Sequence, residues 1–342
     1  MGLQIAEIIP RKEIEFSDLK GKTLAVDAFN VIYQFLSTIR QPDGTPLMDS
    51  KKRITSHLSG LFYRNMSLLH EGIKLIYVFD GKAPELKHGT QEKRLEAKDE
   101  AREKYEQAKS EEDVESMGRY AKQMTHLTKS MIEESKELLN ALGIAVIQAP
   151  SEGEAQASYI CKKGDAYAVA SQDYDCLVFE APKLIQNLTL AKKRKTVSGY
   201  IEIKPQVIEV KEVLKELDIN KEQLTCLAIL SGTDYNPGGV KGIGPKKALK
   251  LVKEQKTREK IFEAVENFEK EGKYKLEFNW REVFELMSKP EVDEEYKIEF
   301  PRFNEKKIME ILTEHDFSEE RIHSQFEKFK EVLETRKQQT LF

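Results

Sequence analysis

Seven carboxylates in five short stretches are the residues of this chain best suited to chemistry: Asp27, Asp80, the pair Glu152 and Glu154, the pair Asp173 and Asp175, and Asp234. Several sit where an apolar run ends. Leu24, Ala25 and Val26 lead into Asp27, residues 76–79 into Asp80, and residues 168–170, through Ser171 and Gln172, into Asp173. Apolar runs of that length read as buried strands of an α/β sheet, and ligands of such sheets gather at the carboxyl ends of the strands. Acids brought to one rim repel each other unless a cation sits among them. Hard oxygen donors in this number suit Mg²⁺ or Mn²⁺, and two such ions about 4 Å apart are a recurrent device for cutting phosphodiesters. Each stretch also has a plainer reading. Ser151 and Glu154 match a capping box at a helix start, residues 173–175 match a turn, and Asp234 suits the turn of residues 231–237. Taken together, with each acid near a strand end or loop, they favour a metal site.

The elements that must position these acids alternate. A strand is expected at 22–28, a helix at 30–39, a turn at 41–44, a helix at 55–70 and a strand at 73–79. Helical apolar spacing returns at Leu127, Met131, Leu138 and Leu142, with Gly143 as a stop. Then follow a strand at 144–147, a helix at 154–163, and strands at 167–170, 183–190 and 200–203. Beyond these the chain reads as mainly helical, with 289–301 irregular and 335–342 a flexible tail. The expected fold class is α/β, a central, mostly parallel sheet flanked by helices, with a helical C-terminal portion packed on it.

Two basic features accompany the acids. In residues 239–248, Gly242 and Gly244 flank Ile243, Pro245 falls at a first helical position, and Lys246 and Lys247 follow. Glycines at a helix start expose backbone N–H groups to an anion, so this layout suits phosphates of duplex nucleic acid held without reading sequence. The second feature is the stretch 87–113, whose large apolar or aromatic residues are only Leu95 and Tyr105. Wound as a helix, it places Arg94, Lys98, Arg102, Tyr105 and Lys109 on one side and five acids on the other. A solvated helix laced by (i, i+4) pairs is the plain reading. A helix without an apolar seam, standing free over the rim with its basic face toward a phosphate chain, is the functional one.

With 342 residues, 39% hydrophobic and 33% charged, the chain has ample material for a core. No stretch approaches a membrane span, and the N-terminus lacks a signal-peptide layout. Cys161, Cys176 and Cys226 lie far apart without ligand spacing, which fits buried thiols in a reducing interior. The net charge of −4 argues against nucleic acid only weakly, because seven of the 59 acids belong to the proposed site.

The chain resembles the flap endonucleases of the XPG-type structure-specific 5′ nucleases, in their archaeal form. The resemblance lies in residues 26–28 with 32–36, 77–84, 149–157, 171–175, 230–235 and 242–245, in family order along essentially the whole chain. It implies a PIN-like nuclease fold, and a Mg²⁺-dependent enzyme that removes 5′ flaps at single-strand/double-strand junctions in replication and repair, with 5′-to-3′ exonuclease activity. It implies an N-terminal nuclease region (1–105), a helical arch (87–130), an internal nuclease region (131–260) with a helix–two-turn–helix at 225–255, a helical part (261–334) and a clamp-binding tail (335–342). By this resemblance Asp80, Glu152 and Glu154 serve mostly one ion, Asp173 and Asp175 the other, and Asp27 and Asp234 act directly or through water. Two Mg²⁺ ions per site are expected, with Mn²⁺ as a substitute. Lys87 and Arg94 match the two cations at the base of the arch, Tyr33 an aromatic that stacks on a base, and Gly2 the family's N-terminal glycine. Lys98 and Arg102 continue the basic face, and the glycine hairpin matches the family's helix–two-turn–helix, which holds duplex with help from K⁺.

The expected partners are branched DNA with a 5′ flap and the sliding clamp PCNA, met through Gln338, Leu341 and Phe342. The clamp motif is cut short here, since the sequence stops before its aromatic pair. A monomer in the cytoplasm, associated with the nucleoid, is expected. Gap endonucleases, mismatch-type exonucleases and four-way-junction resolvases of the same superfamily remain alternatives, as does a binding module without catalysis.

Overall fold

The computed structural model describes residues 3–41, 43–111, 113–123, 126–188, 193–196, 199–270 and 274–339. Nine strands are seen among them: β1 (Lys12–Glu13), β2 (Thr23–Asp27), β3 (Lys74–Phe79), β4 (Ala145–Gln148), β5 (Ala168–Ala170), β6 (Lys183–Gln186), β7 (Lys193–Thr196), β8 (Gly199–Glu202) and β9 (Gln206–Glu209). Seven form one sheet in the order β1-β9-β6-β5-β2-β3-β4. Its five strands from β6 to β4 are mutually parallel, and β9 and β1 close one edge antiparallel. β7 and β8 pair separately as an antiparallel ribbon.

Alternation along the strands builds two cores. Leu24, Val26, Leu75, Tyr77 and Phe79 face one cluster, and Ala25, Ile76, Val78 and Val169 face the other. A sheet buried on both faces needs apolar side chains in both registers, which is why these strands read as unbroken apolar runs. Helices α1 (Ala28–Thr38), α2 (Ser56–Glu71) and α5 (Lys129–Ala141) cover the first face. Between α2 and α5 the chain makes α3 (His88–Ser110) and α4 (Val114–Gln123). The second face is covered by α6 (Gly153–Lys163), α7 (Asp175–Val178), α8 (Val210–Leu217), α9 (Lys221–Ser231), α10 (Pro245–Gln255), α11 (Arg258–Lys270) and α12 (Trp280–Ser288). Residues 289–304 carry no regular element, which includes the stretch 289–301 expected to be irregular. Gln156 grips this strap by donating to the Asp293 carbonyl at 2.9 Å and accepting from its N–H at 2.7 Å. The strap returns the chain to the first face for α13 (Glu305–Glu314) and α14 (Glu319–Gln339), where Phe326 meets Phe62 and Phe303 edge-on.

Three expectations change. Residues 335–339, read as flexible, continue α14, while Leu341 and Phe342 lie outside the described residues. Helix α3 has a seam after all: it packs along α4, with Ala101, Ala108 and Ala121 buried. Small side chains let two helices approach closely without the large apolar residues that a sequence pattern reveals. The strands β1, β7 and β9 were not anticipated, because strands of two to four residues are too short to show an apolar run.

Candidate active site

The chain runs outward from β2 to β3 and β4, then returns to place β5 on the other side of β2. The strand order therefore reverses between β2 and β5, and a crevice opens there beyond their carboxyl ends. Asp27 ends β2 and Asp173 follows β5, so these two acids flank the reversal. Asp80 follows β3. Glu152 and Glu154 belong to the start of α6, after β4, and Asp175 opens α7. Asp234 arrives from the turn after α9. That turn is built by Asn236, whose Oδ1 accepts from Thr233 Oγ1 at 2.6 Å while Nδ2 donates to the Ile229 carbonyl at 2.7 Å.

Asp27, Glu154 and Asp173 each offer a carboxylate oxygen, and these three atoms lie within 4.8 Å of one another. Their neighbours hold them. Asp27 caps α1 by accepting from the Asn30 N–H at 3.1 Å, and Ser171 Oγ donates to its other oxygen at 3.2 Å. Asn30 Nδ2 donates to Asp173 Oδ2 at 2.7 Å. Asp80 Oδ1 accepts from the Gly153 N–H at 2.6 Å, and a Cβ at Gly153 would meet that same oxygen at 2.6 Å. Only glycine lets the backbone approach the acid so closely. Lys87 pairs with Glu152, reaches Asp234 Oδ2 at 3.7 Å, and lies 5.2 Å from the centre of the Tyr235 ring.

The capping-box reading of Ser151 and Glu154 does not hold. The helix is capped by Glu152 without a side-chain bond, because Glu152 turns to Lys87 and Glu154 joins the acids.

Electrostatics show what the cluster lacks. Burial first, then the charges of Asp80 and Asp173, push the Asp27 carboxyl up to about 7 against the Asn30 N–H. Burial, followed by Asp173 and Asp234, raises Asp175 to about 7. Glu152 rises to about 9 through burial and the Asp175, Asp80 and Asp234 charges; the Lys87 ammonium against it favours the carboxylate, but it is one cation among several acids. Glu154 is raised well above its ordinary range by burial and then by Asp173 and Asp27. Asp80 is raised by burial, with the Gly153 N–H and Lys87 pulling it down. Asp175 Oδ1 is buried without a hydrogen-bond partner. All-oxygen donors, held close and short of positive charge, fit a hard divalent cation.

The basic features lie where their elements put them. Lys98 on α3 stands 5.7 Å from the centre of the Tyr33 ring, which is 38% exposed, and Arg102 is exposed. Arg94 is on α3, its side chain outside the described residues. Gly2 is outside them as well, but the next residue, Leu3, is buried and its backbone N–H favours the ionised form of Asp175. Gly242 takes φ +93°, a turn conformation that other residues rarely adopt, and Gly244 caps α10 with Pro245 at its start. Exposed Lys246 pairs with Glu7 at 3.3 Å, and Lys247 donates to the Gly242 carbonyl at 3.1 Å. Gln338 is on the last turn of α14, far along the chain from the acids.

Asn30 and Ser171 were not singled out from the sequence. Asn30 stands three residues after an acid that opens a helix, a position where a cap contact was foreseeable; Ser171 lay inside a stretch read only for its acids.

The XPG N-terminal domain matches residues 3–101, and the XPG I-region matches residues 143–234. Flap endonuclease 1 of Pyrococcus abyssi is 51% identical over 344 aligned residues, covering 100% of this chain and 97% of that protein. The solved flap endonuclease-1 from Methanococcus jannaschii is 39% identical with a TM-score of 0.75, covering 98% of this chain and all of that one. The catalytic core of Rad2 in complex with DNA substrate, 24% identical with a TM-score of 0.66 over 92% of this chain and 94% of that one, shares the fold. Likeness over the full length, and family domains that span the whole rim of acids, show that this chain belongs to the archaeal flap endonuclease branch of the XPG-type nucleases.

Proposed function

We propose that the chain is a Mg²⁺-dependent endonuclease that removes 5′ flaps from branched DNA, with Mn²⁺ as a substitute ion. The carrying observation is the approach of Asp27, Glu154 and Asp173 oxygens to within 4.8 Å at the strand reversal. That proximity favours grouping Glu154 with Asp27 and Asp173 around one ion, rather than with Asp80 and Glu152 as the family resemblance implies. Asp80, Glu152, Asp175 and Asp234 would then serve the second. When bound, Mg²⁺ supplies the charge that activates water and offsets the charge of the leaving oxygen.

The chain's own groups do the rest. Gly153 and Asn30 hold Asp80 and Asp173 in place through N–H donors. Lys87 is proposed to turn from Glu152 to the scissile phosphate and to oppose charge as it builds there, with Arg94 beside it. Tyr33 offers a ring face to a base, and Lys98 and Arg102 attract the single strand. The turn at 242–244 with Lys246 and Lys247 anchors duplex phosphates, with K⁺ as a proposed companion ion. The segment from Gln338 onward is proposed to meet a sliding clamp, and the enzyme to act as a monomer.

Cleavage of 5′-flap, nicked, gapped and four-way substrates by pure protein tests this reading. Flap substrate should be cut fastest, with Mg²⁺ and not with EDTA. Preference for a gapped or four-way substrate would move the chain to another branch of the superfamily, and no metal-dependent cutting at all would refute catalysis.

A further inference from the structure

We propose that Asn30 is a positioning residue of the metal centre: its side-chain amide sets the Asp173 carboxylate against Asp27 and Glu154. This rests on the metal reading above and adds a residue outside the seven acids. Asn30 is the third residue of α1 and touches both sides of the strand reversal. Its backbone N–H donates to Asp27 Oδ1 at 3.1 Å, and its Nδ2 donates to Asp173 Oδ2 at 2.7 Å. Its Oδ1 faces the Gln172 N–H at 3.4 Å, a longer and weaker contact. Ser171 makes a parallel tie, donating to Asp27 Oδ2 at 3.2 Å while its Oγ accepts from the Asp173 N–H at 3.2 Å.

The chemistry of the amide matters. Asp27 and Asp173 come from different strands, and their charges push them apart. A lysine between them would hold them together but would also compete with a metal ion for the same oxygens. An amide grips a carboxylate oxygen with a neutral N–H, so the full charge of the acid stays available. Anchoring Asp173 Oδ2 also fixes the plane of the carboxylate and hence the place of both its oxygens. Partners that orient metal ligands in this way typically contribute about tenfold to a hundredfold in metal affinity or activity.

The test is calorimetric titration of the full chain with Mn²⁺, without DNA, alongside melting of the metal-free protein. Asn30→Leu should weaken Mn²⁺ binding by about tenfold. Asn65→Leu is the comparison, since it removes the buried acceptor of the Tyr77 hydroxyl, 2.9 Å away on α2, with no tie to the acids. It should lower the melting midpoint and leave Mn²⁺ affinity within twofold of wild type. If Asn30→Leu does not fold, Asn30→Ser, which is polar but too short to reach Asp173, is read the same way. Wild-type affinity in the Asn30 variant, or a loss no larger than that of Asn65→Leu, would overturn the proposal. Failure of the wild-type chain to bind Mn²⁺ would instead remove the metal centre itself.

Discussion

At the carboxyl ends of the parallel strands the charges are buried or half-buried and predominantly acidic, with Lys87 among them; along α3 the described charged side chains are of both signs and mostly exposed. Asp27 is 3% exposed and its carboxyl is pushed up to about 7. Lys104 and Glu100 on α3 meet at 3.5 Å with side chains 54% and 71% exposed, in a pairing that water weakens. Charge in the first region is costly and its placement must be exact to within an ångström or so, which a sheet buried on both faces can provide. In the second region, charge need only be present on the right side of a helix. Substitutions should therefore act on rate at the rim and on binding along α3, with Lys87 between the two.

The largest expected effect is at the rim. Asp80→Asn or Asp175→Asn should abolish cleavage while leaving flap-DNA binding within a few-fold, because phosphate contacts elsewhere hold the substrate. Single-turnover kinetics beside a binding isotherm check this, and a near wild-type rate in saturating Mg²⁺ would break the comparison. At the boundary, Lys87→Ala should lower the single-turnover rate by about a hundredfold with little change in affinity. On α3, Lys98→Ala and Arg102→Ala should mainly weaken flap capture, by a few-fold each. A rate loss at Lys98 equal to that at Lys87 would erase the distinction between the regions. At the hairpin, replacing Lys246 and Lys247 together by alanine should weaken all duplex sequences alike. The slope of log affinity against log salt should flatten by about one unit for each phosphate that a lysine no longer neutralises.

The buried acids also tie stability to pH. Asp27 and Asp175 hold a proton up to about 7 in the folded chain, against an ordinary value of 3.8, and Glu152 up to about 9 against 4.5. Between those values the folded state binds more protons than the unfolded one, so stability falls as pH rises. The metal-free protein should lose melting midpoint steadily between pH 5 and pH 8. Mg²⁺ should flatten the trend by taking the place of the protons. A midpoint that rises with pH in the absence of metal would contradict the burial of these acids.

Much of the rim was legible in the sequence because its strands are buried on both faces. Short apolar runs such as 75–79, set between turn and helix signals, read as buried strands, and the acids that follow them inherit their position. The glycine turn was legible for a different reason, since Gly242 takes a positive φ and Pro245 fits the first position of α10. The alanine seam between α3 and α4 was not, because alanine carries no strong periodic signal. Nor was the Asn30 contact: its partner Asp173 lies 143 residues away, and no local pattern encodes that distance. The end of α14 was misread because its charged residues suit helix and tail equally.

The reversal of strand order between β2 and β5 also bears on when the enzyme comes into being. Asp27 is made early in synthesis, but its companions Glu154 and Asp173 sit on segments that follow β4 and β5. A nascent chain that has emerged only as far as α5 has β1 to β3 and the helices up to α5, yet lacks two of the three acids that meet at the crevice. The hydrolytic centre is thus completed late, once the chain has doubled back on its own beginning, and an unfinished chain near nucleic acid carries no assembled blade.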